Sequence, residues 1–357
     1  MAKRIVISGY YGFGNTGDEA VLSGILTTLK RVGVDAQVTV LSADPKRTVS
    51  EHPRVESVRR YKITHLIRAI RKADLVISGG GSLLQDVTSA RSLRYYLFVI
   101  RLAQMLKRPT MVYAQGIGPL VGAGARKAVA RVLNRSNAIS VRDEDSKALL
   151  ESIGVDRVPV HLSADPSFLV EPDLEAADKS LGAHGLTDGE LVGVSLRPWP
   201  KVDGWLSEAA EGVRQACEEL DVTPVVIPMQ PSEDIAACEA LGAGVVIRSA
   251  LDPRTVKGIM ARCSLVVGMR LHSLMFAAGE GVPFVSLVYD PKVSSFAEAV
   301  GQTGAVRIES ASAAAVKDAV MRSWEKRVSL RESLLRKTPA FEELALRSGE
   351  LVRALLE

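Results

Sequence analysis

Cysteine is scarce. The chain of 357 residues holds three, Cys217, Cys238 and Cys263, all in its second half, with no CxxC pair and no histidine at metal-ligand spacing. An odd number without a framework argues against a disulfide scaffold or a zinc site and points to reduced thiols in a cytoplasmic setting. Long apolar runs are missing too. The most apolar stretch, 93–106, is too short for a membrane span and is interrupted by Arg94 and Arg101. The N-terminus, MAKRIVISGYYGFGNTGDEA, runs from charged residues through a short strand-like segment into glycines. It lacks the longer apolar core and small-residue cleavage site of a signal peptide, so the expectation is a cytoplasmic protein.

What is present is ordinary globular material, with 47% hydrophobic and 24% charged residues. The length exceeds what one hydrophobic core usually serves, so two domains are expected. Net charge is only +4, but residues 1–175 carry 25 Lys and Arg against 17 Asp and Glu, and the remainder carries 20 against 24. A basic first half can meet nucleic acid, anionic lipid or a phosphorylated substrate, and charge alone does not choose among them.

Apolar β-branched runs alternate with helix-period segments throughout, the pattern of an α/β protein with two doubly wound, Rossmann-like parallel sheets. In the first half this predicts strands at 4–8, 37–41, 75–78, 110–113 and 138–141, with helices near 18–31, 64–71, 92–106, 126–134 and 143–152. The rhythm lapses over 163–189, which is read as the interdomain connection. Strands resume at 191–196, 224–227, 265–268 and 284–288, and the tail from 311 reads as helices. The domain expectation is 1–175, then 176–325, with a helix over 326–357 returning to the first domain.

In open parallel sheets, ligands sit beyond the carboxyl ends of the strands, and unusual residues gather at those ends. After the first strand, Gly12, Gly14 and Gly17 match GxGxxG, followed by Asp18 and Glu19 at a helix start. Carboxylates there repel a pyrophosphate and suit sugar hydroxyls better; a tight turn before an acidic helix gives the same pattern. Gly79, Gly80 and Gly81 follow the third strand, then Gln85 and Asp86, and consecutive glycines let a ligand approach the backbone. Gln115 follows the next strand and Arg142 the one after, the latter suited to recognising carboxylate or phosphate, or else to pairing with Asp143–Asp145.

The second half repeats the placement. Arg197 and Gln230 lie just past strands, Arg270 and His272 flank a helix start, and Lys292 follows the last predicted strand. Arg142, Arg197, Arg270, His272 and Lys292 in one cleft between the halves would trap a small, multiply charged anion. A further basic helix, 59–72, has Ile63, Leu66, Ile67 and Ile70 on one stripe; its other face is either solvated or in contact with anionic lipid headgroups.

Taken in order, Gly14-Asn15-Thr16-Gly17-Asp18-Glu19-Ala20, Gly79-Gly80-Gly81-Ser82-Leu83-Leu84-Gln85-Asp86, Ala114-Gln115-Gly116-Ile117-Gly118-Pro119, Val141-Arg142-Asp143 and Met269-Arg270-Leu271-His272-Ser273 resemble polysaccharide pyruvyl transferases of the CsaB type. The resemblance implies a GT-B-like architecture and transfer of the pyruvyl unit of phosphoenolpyruvate to a sugar with release of phosphate. In the family's cell-wall branch, tied to surface-layer anchoring, the product is a 4,6-pyruvate ketal on N-acetylmannosamine of a lipid-linked saccharide. The resemblance gives phosphoenolpyruvate-binding roles to Arg142, His272 and Lys292; some relatives carry Arg at the last position. Placement adds Arg197 and Arg270. His272 is the candidate acid, Asp18 and Glu19 the candidate bases, and Gly14, Asn15, Asp18, Gly80, Gly81, Gln85, Asp86 and Gln115 the candidate acceptor site. Neither metal nor resident cofactor is called for, and no nucleic-acid partner is expected. The competing readings are a GT-B glycosyltransferase using a nucleotide-sugar, a dinucleotide-dependent oxidoreductase, and a saccharide-binding protein without activity.

Overall fold

The computed structural model describes residues 2–87 and 89–357. Its contacts divide the chain into two compact units, one of Met1–Val170 with Ala340–Glu357, the other of Glu171–Pro339.

The first unit is built on strands β1 (Lys3–Tyr11), β2 (Ala36–Ser42), β3 (Glu56–Arg59), β4 (Leu75–Ser78), β5 (Gly81–Leu84), β6 (Thr110–Ile117), β7 (Ala138–Val141) and β8 (Val160–Leu162). They form one sheet in the order β3-β2-β1-β4-β6-β7-β8, with β5 paired to β6 off this path, and every pairing is parallel. Parallel strands covered on both faces read as unbroken apolar runs, and β4 and β7 are buried at every position. The two-residue period sorts their side chains. Ile5, Ile7, Val40 and Ile77 meet the helix Thr16–Arg31 and Val352 and Leu356 of the last helix. Val6, Leu41 and Val76 meet Leu66 and Ile70 of helix Ile63–Lys72 and Val99 and Ala103 of helix Ala90–Met105.

Short polar side chains start the helices. Asn15 Oδ1 accepts the Gly17 and Asp18 amides at 3.0 and 3.2 Å, and Asp143 Oδ1 accepts the Ser146 amide at 2.8 Å. Replacing such a cap by alanine costs about 1 kcal/mol.

The second unit carries β9 (Leu191–Ser195), β10 (Thr223–Val226), β11 (Val245–Val246), β12 (Leu265–Gly268), β13 (Phe284–Val288) and β14 (Gly304–Arg307), parallel and ordered β11-β10-β9-β12-β13-β14. Trp205 and Val213 of helix Trp205–Leu220 and Val316 and Trp324 of helix Ala313–Glu325 close its main core. In each unit the winding reverses beside the first strand, between β1 and β4 and between β9 and β12, which opens a crevice at their carboxyl ends.

Several elements differ from expectation. β3, β5, β8, β11 and β14 were not foreseen, because each is only two to four residues long and most are partly exposed. β6 runs to Ile117 and so includes Gln115, which is not in a loop. The stretch 163–189 is not a bare connection: it contains a 3-10 turn, Pro166–Leu169, and a helix, Leu174–Gly182. The basic helix is shorter than 59–72, since Arg59 ends β3 and the helix is Ile63–Lys72. The tail forms Ala313–Glu325 and Arg327–Leu356, and the boundary between units falls inside the latter, at Pro339.

Candidate active site

The first unit presents its candidate residues around β1 and β4. Asp18, half-buried in the first turn of helix Thr16–Arg31, brings Oδ1 to 2.9 Å from where a Cβ on Gly81 would stand. The three consecutive glycines admit neighbours of this chain itself: a Cβ on Gly79 would lie 2.3 Å from the Tyr11 hydroxyl, and one on Gly80 would lie 2.8 Å from Val21 Cγ1. Tyr11 is fully buried, its hydroxyl has no hydrogen-bond partner among the described residues, and burial first, then Asp18 and Glu19, push its pKa well up.

Glu19 is 1% exposed. Its Oε1 accepts the Gly12 amide at 2.7 Å, while burial pushes the carboxyl up to about 8. It therefore sits protonated at neutral pH, a hydrogen donor rather than a base. Glu19, Glu51 and His52 bring potential ligand atoms within 4.8 Å of one another, the one grouping of that kind among the described residues. Arg47 already supplies a positive charge there, donating to Glu51 at 2.6 Å and lying 2.8 Å from where a Cβ on Gly14 would be.

Other first-unit candidates hold the scaffold. Gln115 Nε2 donates to Ser78 O, Ser78 Oγ and Gly79 O, tying β6 to β4. Asp86 accepts the Val121 and Gly122 amides, each at 2.8 Å, and these bonds keep its carboxyl below the ordinary value. Arg142 is buried against Gly116, donating to Asp165 at 2.8 Å and Ser82 Oγ at 3.0 Å, with Asp143 at 3.4 Å. Burial opposes its charge, but Asp165 and Asp143 outweigh that and raise its pKa. Arg60, read from sequence only as part of a basic helix, lies buried among Phe13, Tyr61, Tyr95 and Tyr96 and donates to Gly9 O at 2.9 Å.

The second unit gathers Arg197, Arg270, His272 and Lys292 at the carboxyl ends of β9, β12 and β13. Arg270 donates from Nε and Nη2 to the two oxygens of Asp234, both at 2.6 Å, with Glu233 at 3.5 Å. Asp234 is fully buried and also accepts the Gln230 amide. Burial opposes the Arg270 charge, and Asp234 more than offsets it, so its pKa is raised. His272 is half-buried in the first turn of helix Leu271–Gly279.

Arg197 differs from the other two arginines. It has no carboxylate partner among the described residues, and its Nε is buried without an acceptor. Its guanidinium lies 5.5 Å from the Trp199 ring centre and 5.6 Å from that of Tyr289. Lys292 stands 5.9 Å from the same Tyr289 ring and 3.7 Å from Asp290. At the end of β9, two residues before Arg197, Ser195 Oγ is also buried without a partner among the described residues. A guanidinium held by aromatic rings rather than by a carboxylate keeps its donors available for an anion. Sequence reading missed Tyr11, Trp199, Tyr289 and Asp234, and the signal for Trp199 and Tyr289 was their position two residues from Arg197 and three from Lys292, cations at strand ends.

The model of the polysaccharide pyruvyl transferase family matches residues 15–291. The amylovoran biosynthesis protein AmsJ of Erwinia amylovora is 21% identical, over 81% of this chain and 84% of that one. Among solved structures, the UDP-GlcNAc 2-epimerase of Neisseria meningitidis bound to UDP-GlcNAc superposes with a TM-score of 0.69, covering all of both chains at 12% identity. HepE of Anabaena, in complex with UDP and glucose, gives 0.64 at 12% identity over 99% of each chain. At such identities these likenesses concern the fold, which is that of GT-B-type glycosyltransferases and epimerases. With its family motifs set at the strand ends of both units, the chain belongs to the polysaccharide pyruvyl transferase family.

Proposed function

We propose that this transferase moves the pyruvyl unit of phosphoenolpyruvate onto two hydroxyls of a saccharide, forming a pyruvate ketal and releasing phosphate. The observation that carries this reading is Arg197: a guanidinium at the β9 switch point, without a carboxylate partner among the described residues, with Lys292 beside the same Tyr289 ring. Phosphoenolpyruvate offers a carboxylate and a phosphate to such cations.

In the proposed reaction, protonation of the methylene carbon creates an oxocarbenium-like centre that a sugar hydroxyl attacks. Phosphate leaves, and the second hydroxyl closes the ketal. His272 is the proposed acid, since imidazole is the side chain most readily protonated near neutral pH. Arg197 and Lys292 hold the anion, and Arg270, neutralised by Asp234, fixes the start of the helix that carries His272. Asp18 is the proposed base or hydroxyl acceptor of the sugar site, with the protonated Glu19 behind it. Arg142, which the family resemblance also assigns to phosphoenolpyruvate, is engaged by Asp165 and Ser82 and calls for its own test. No metal ion or resident cofactor enters this scheme. The proposed acceptor is a lipid-linked cell-wall saccharide with N-acetylmannosamine at the reacting position, as in CsaB-type relatives.

The test incubates the protein with phosphoenolpyruvate and a lipid-linked ManNAc-GlcNAc acceptor and follows phosphate release and the acceptor's mass. Equimolar phosphate and a ketal mass gain are expected; phosphate without a mass gain, or neither, overturns the reading. A second reading, a nucleotide-sugar glycosyltransferase, is favoured by the UDP-bound structural neighbours. It predicts thermal protection by UDP rather than by phosphoenolpyruvate.

A further inference from the structure

The face of the first-unit sheet that carries helices Ile63–Lys72, Ala90–Met105 and Ala123–Leu133 has an unusual outer surface. Residues 59–135 contain 15 Lys and Arg against two acids, Asp74 and Asp86, although the whole chain is only +4. One of those acids, Asp86, is spent on the Val121 and Gly122 amides. Along Ala90–Met105 the exposed residues Arg91, Arg94, Phe98, Arg101 and Met105 follow one another at intervals of three and four, which sets them on one stripe. Phe98 is 45% exposed and Met105 70%; at the start of helix Ile63–Lys72, Ile63 is 48% exposed, and just before it Tyr61, whose ring meets Tyr95 of helix Ala90–Met105, is 71% exposed.

The stripe leads into a cavity of about 480 Å³, lined by Arg101, Lys107, Arg108 and Arg135 and by no acidic residue. None of the four cations has a carboxylate partner among the described residues, and Arg108 Nε is buried without a hydrogen-bond acceptor. A merely solvated basic face needs no exposed Phe, Met, Tyr and Ile, and a nucleic-acid groove would use the cations but not the aliphatic side chains. Apolar side chains interleaved with arginines suit the boundary between headgroups and acyl chains, where the apolar groups insert and the guanidinium groups stay with phosphates.

We infer that this face docks on an anionic membrane surface, with a lipid phosphate seated in the Arg101–Arg108–Arg135 cavity. Docking does not depend on the pyruvyl-transfer reading, because vesicle binding is measured without turnover.

The experiment sediments the full chain with vesicles of phosphatidylcholine alone or mixed with phosphatidylglycerol. Binding to the mixture but not to phosphatidylcholine, weakened by salt, is expected. Arg101→Glu with Arg108→Glu should weaken it about 30-fold or more, at about 1 kcal/mol per surface cation. Phe98→Ser with Met105→Ser should weaken it too, which a purely electrostatic contact would not show. Equal binding to both vesicle types, no binding to either, or undiminished binding by the folded Arg101/Arg108 variant overturns the inference. Tighter binding to duplex DNA that ignores Phe98→Ser with Met105→Ser assigns the face to nucleic acid and overturns it as well.

Discussion

Arg270 and Asp234 lock together through two parallel hydrogen bonds of 2.6 Å each, joining the start of the helix after β12 to the helix after β10. Buried bidentate pairs fix geometry more than they add stability, and breaking one strands a charge. Asp234→Ala should therefore destabilise the second unit by about 3–5 kcal/mol. Urea unfolding of this variant within 1 kcal/mol of the wild type, on the order of one surface contact, would show that the pair does not hold the loop.

Arg197 makes the opposite prediction. Its ring contacts are worth about 0.5–1 kcal/mol, so Arg197→Ala should fold with nearly unchanged stability yet lose the thermal protection that phosphoenolpyruvate gives the wild type. Retained protection would remove Arg197 from the anion site.

His272→Ala should leave the fold intact and lower transfer by about two to four orders of magnitude, the usual worth of a positioned acid. Wild-type turnover in the folded variant would exclude the imidazole from the chemistry.

For Arg142, the buried partner Asp165 dominates. Arg142→Ala should cost about 3–5 kcal/mol by leaving that carboxylate unpaired. Adding Asp165→Asn should recover part of the loss. If the double variant regains stability and keeps its protection by phosphoenolpyruvate, Arg142 is a strut; if protection stays lost, it meets the ligand.

Glu19 gives a pH dependence. Its carboxyl lies at about 8 in the folded protein against 4.5 ordinarily, so the folded state binds the extra proton between those values. The contribution is complete below about pH 4.5 and is lost as pH rises through 8. Stability should fall across that window with a slope from this group of up to about 1.4 kcal/mol per pH unit. Glu19→Gln should flatten the slope and be the more stable protein above pH 8. Parallel profiles for the two proteins would contradict the burial argument.

Much of the fold could be read from periodicity, because buried parallel strands such as Leu75–Ser78 and Leu265–Gly268 are apolar at nearly every position. Strands of two to four residues with partial exposure, such as Val160–Leu162, leave no such trace. The candidate residues were legible as positions, since strand ends are marked by glycine and charge. Their partners were not. Nothing local in the sequence links Arg270 to Asp234, 36 residues away, or Arg142 to Asp165. The same holds for Gly79, whose missing side chain makes room for Tyr11. In each case the sequence names one partner and the fold supplies the other.

The first unit borrows part of its core from residues 340–357, which follow the second unit along the chain. Val352 and Leu356 pack with Ile25 and Ile77, and Ser348 Oγ meets Ser140 Oγ at 2.8 Å. During synthesis, the first unit must wait with an unsealed apolar flank until residues 340–357 have been made, although all its strands are already in hand, whereas the second unit needs nothing beyond Pro339. A ribosome stalled near Pro339 would thus leave a chaperone client exposed at its beginning, not at its end.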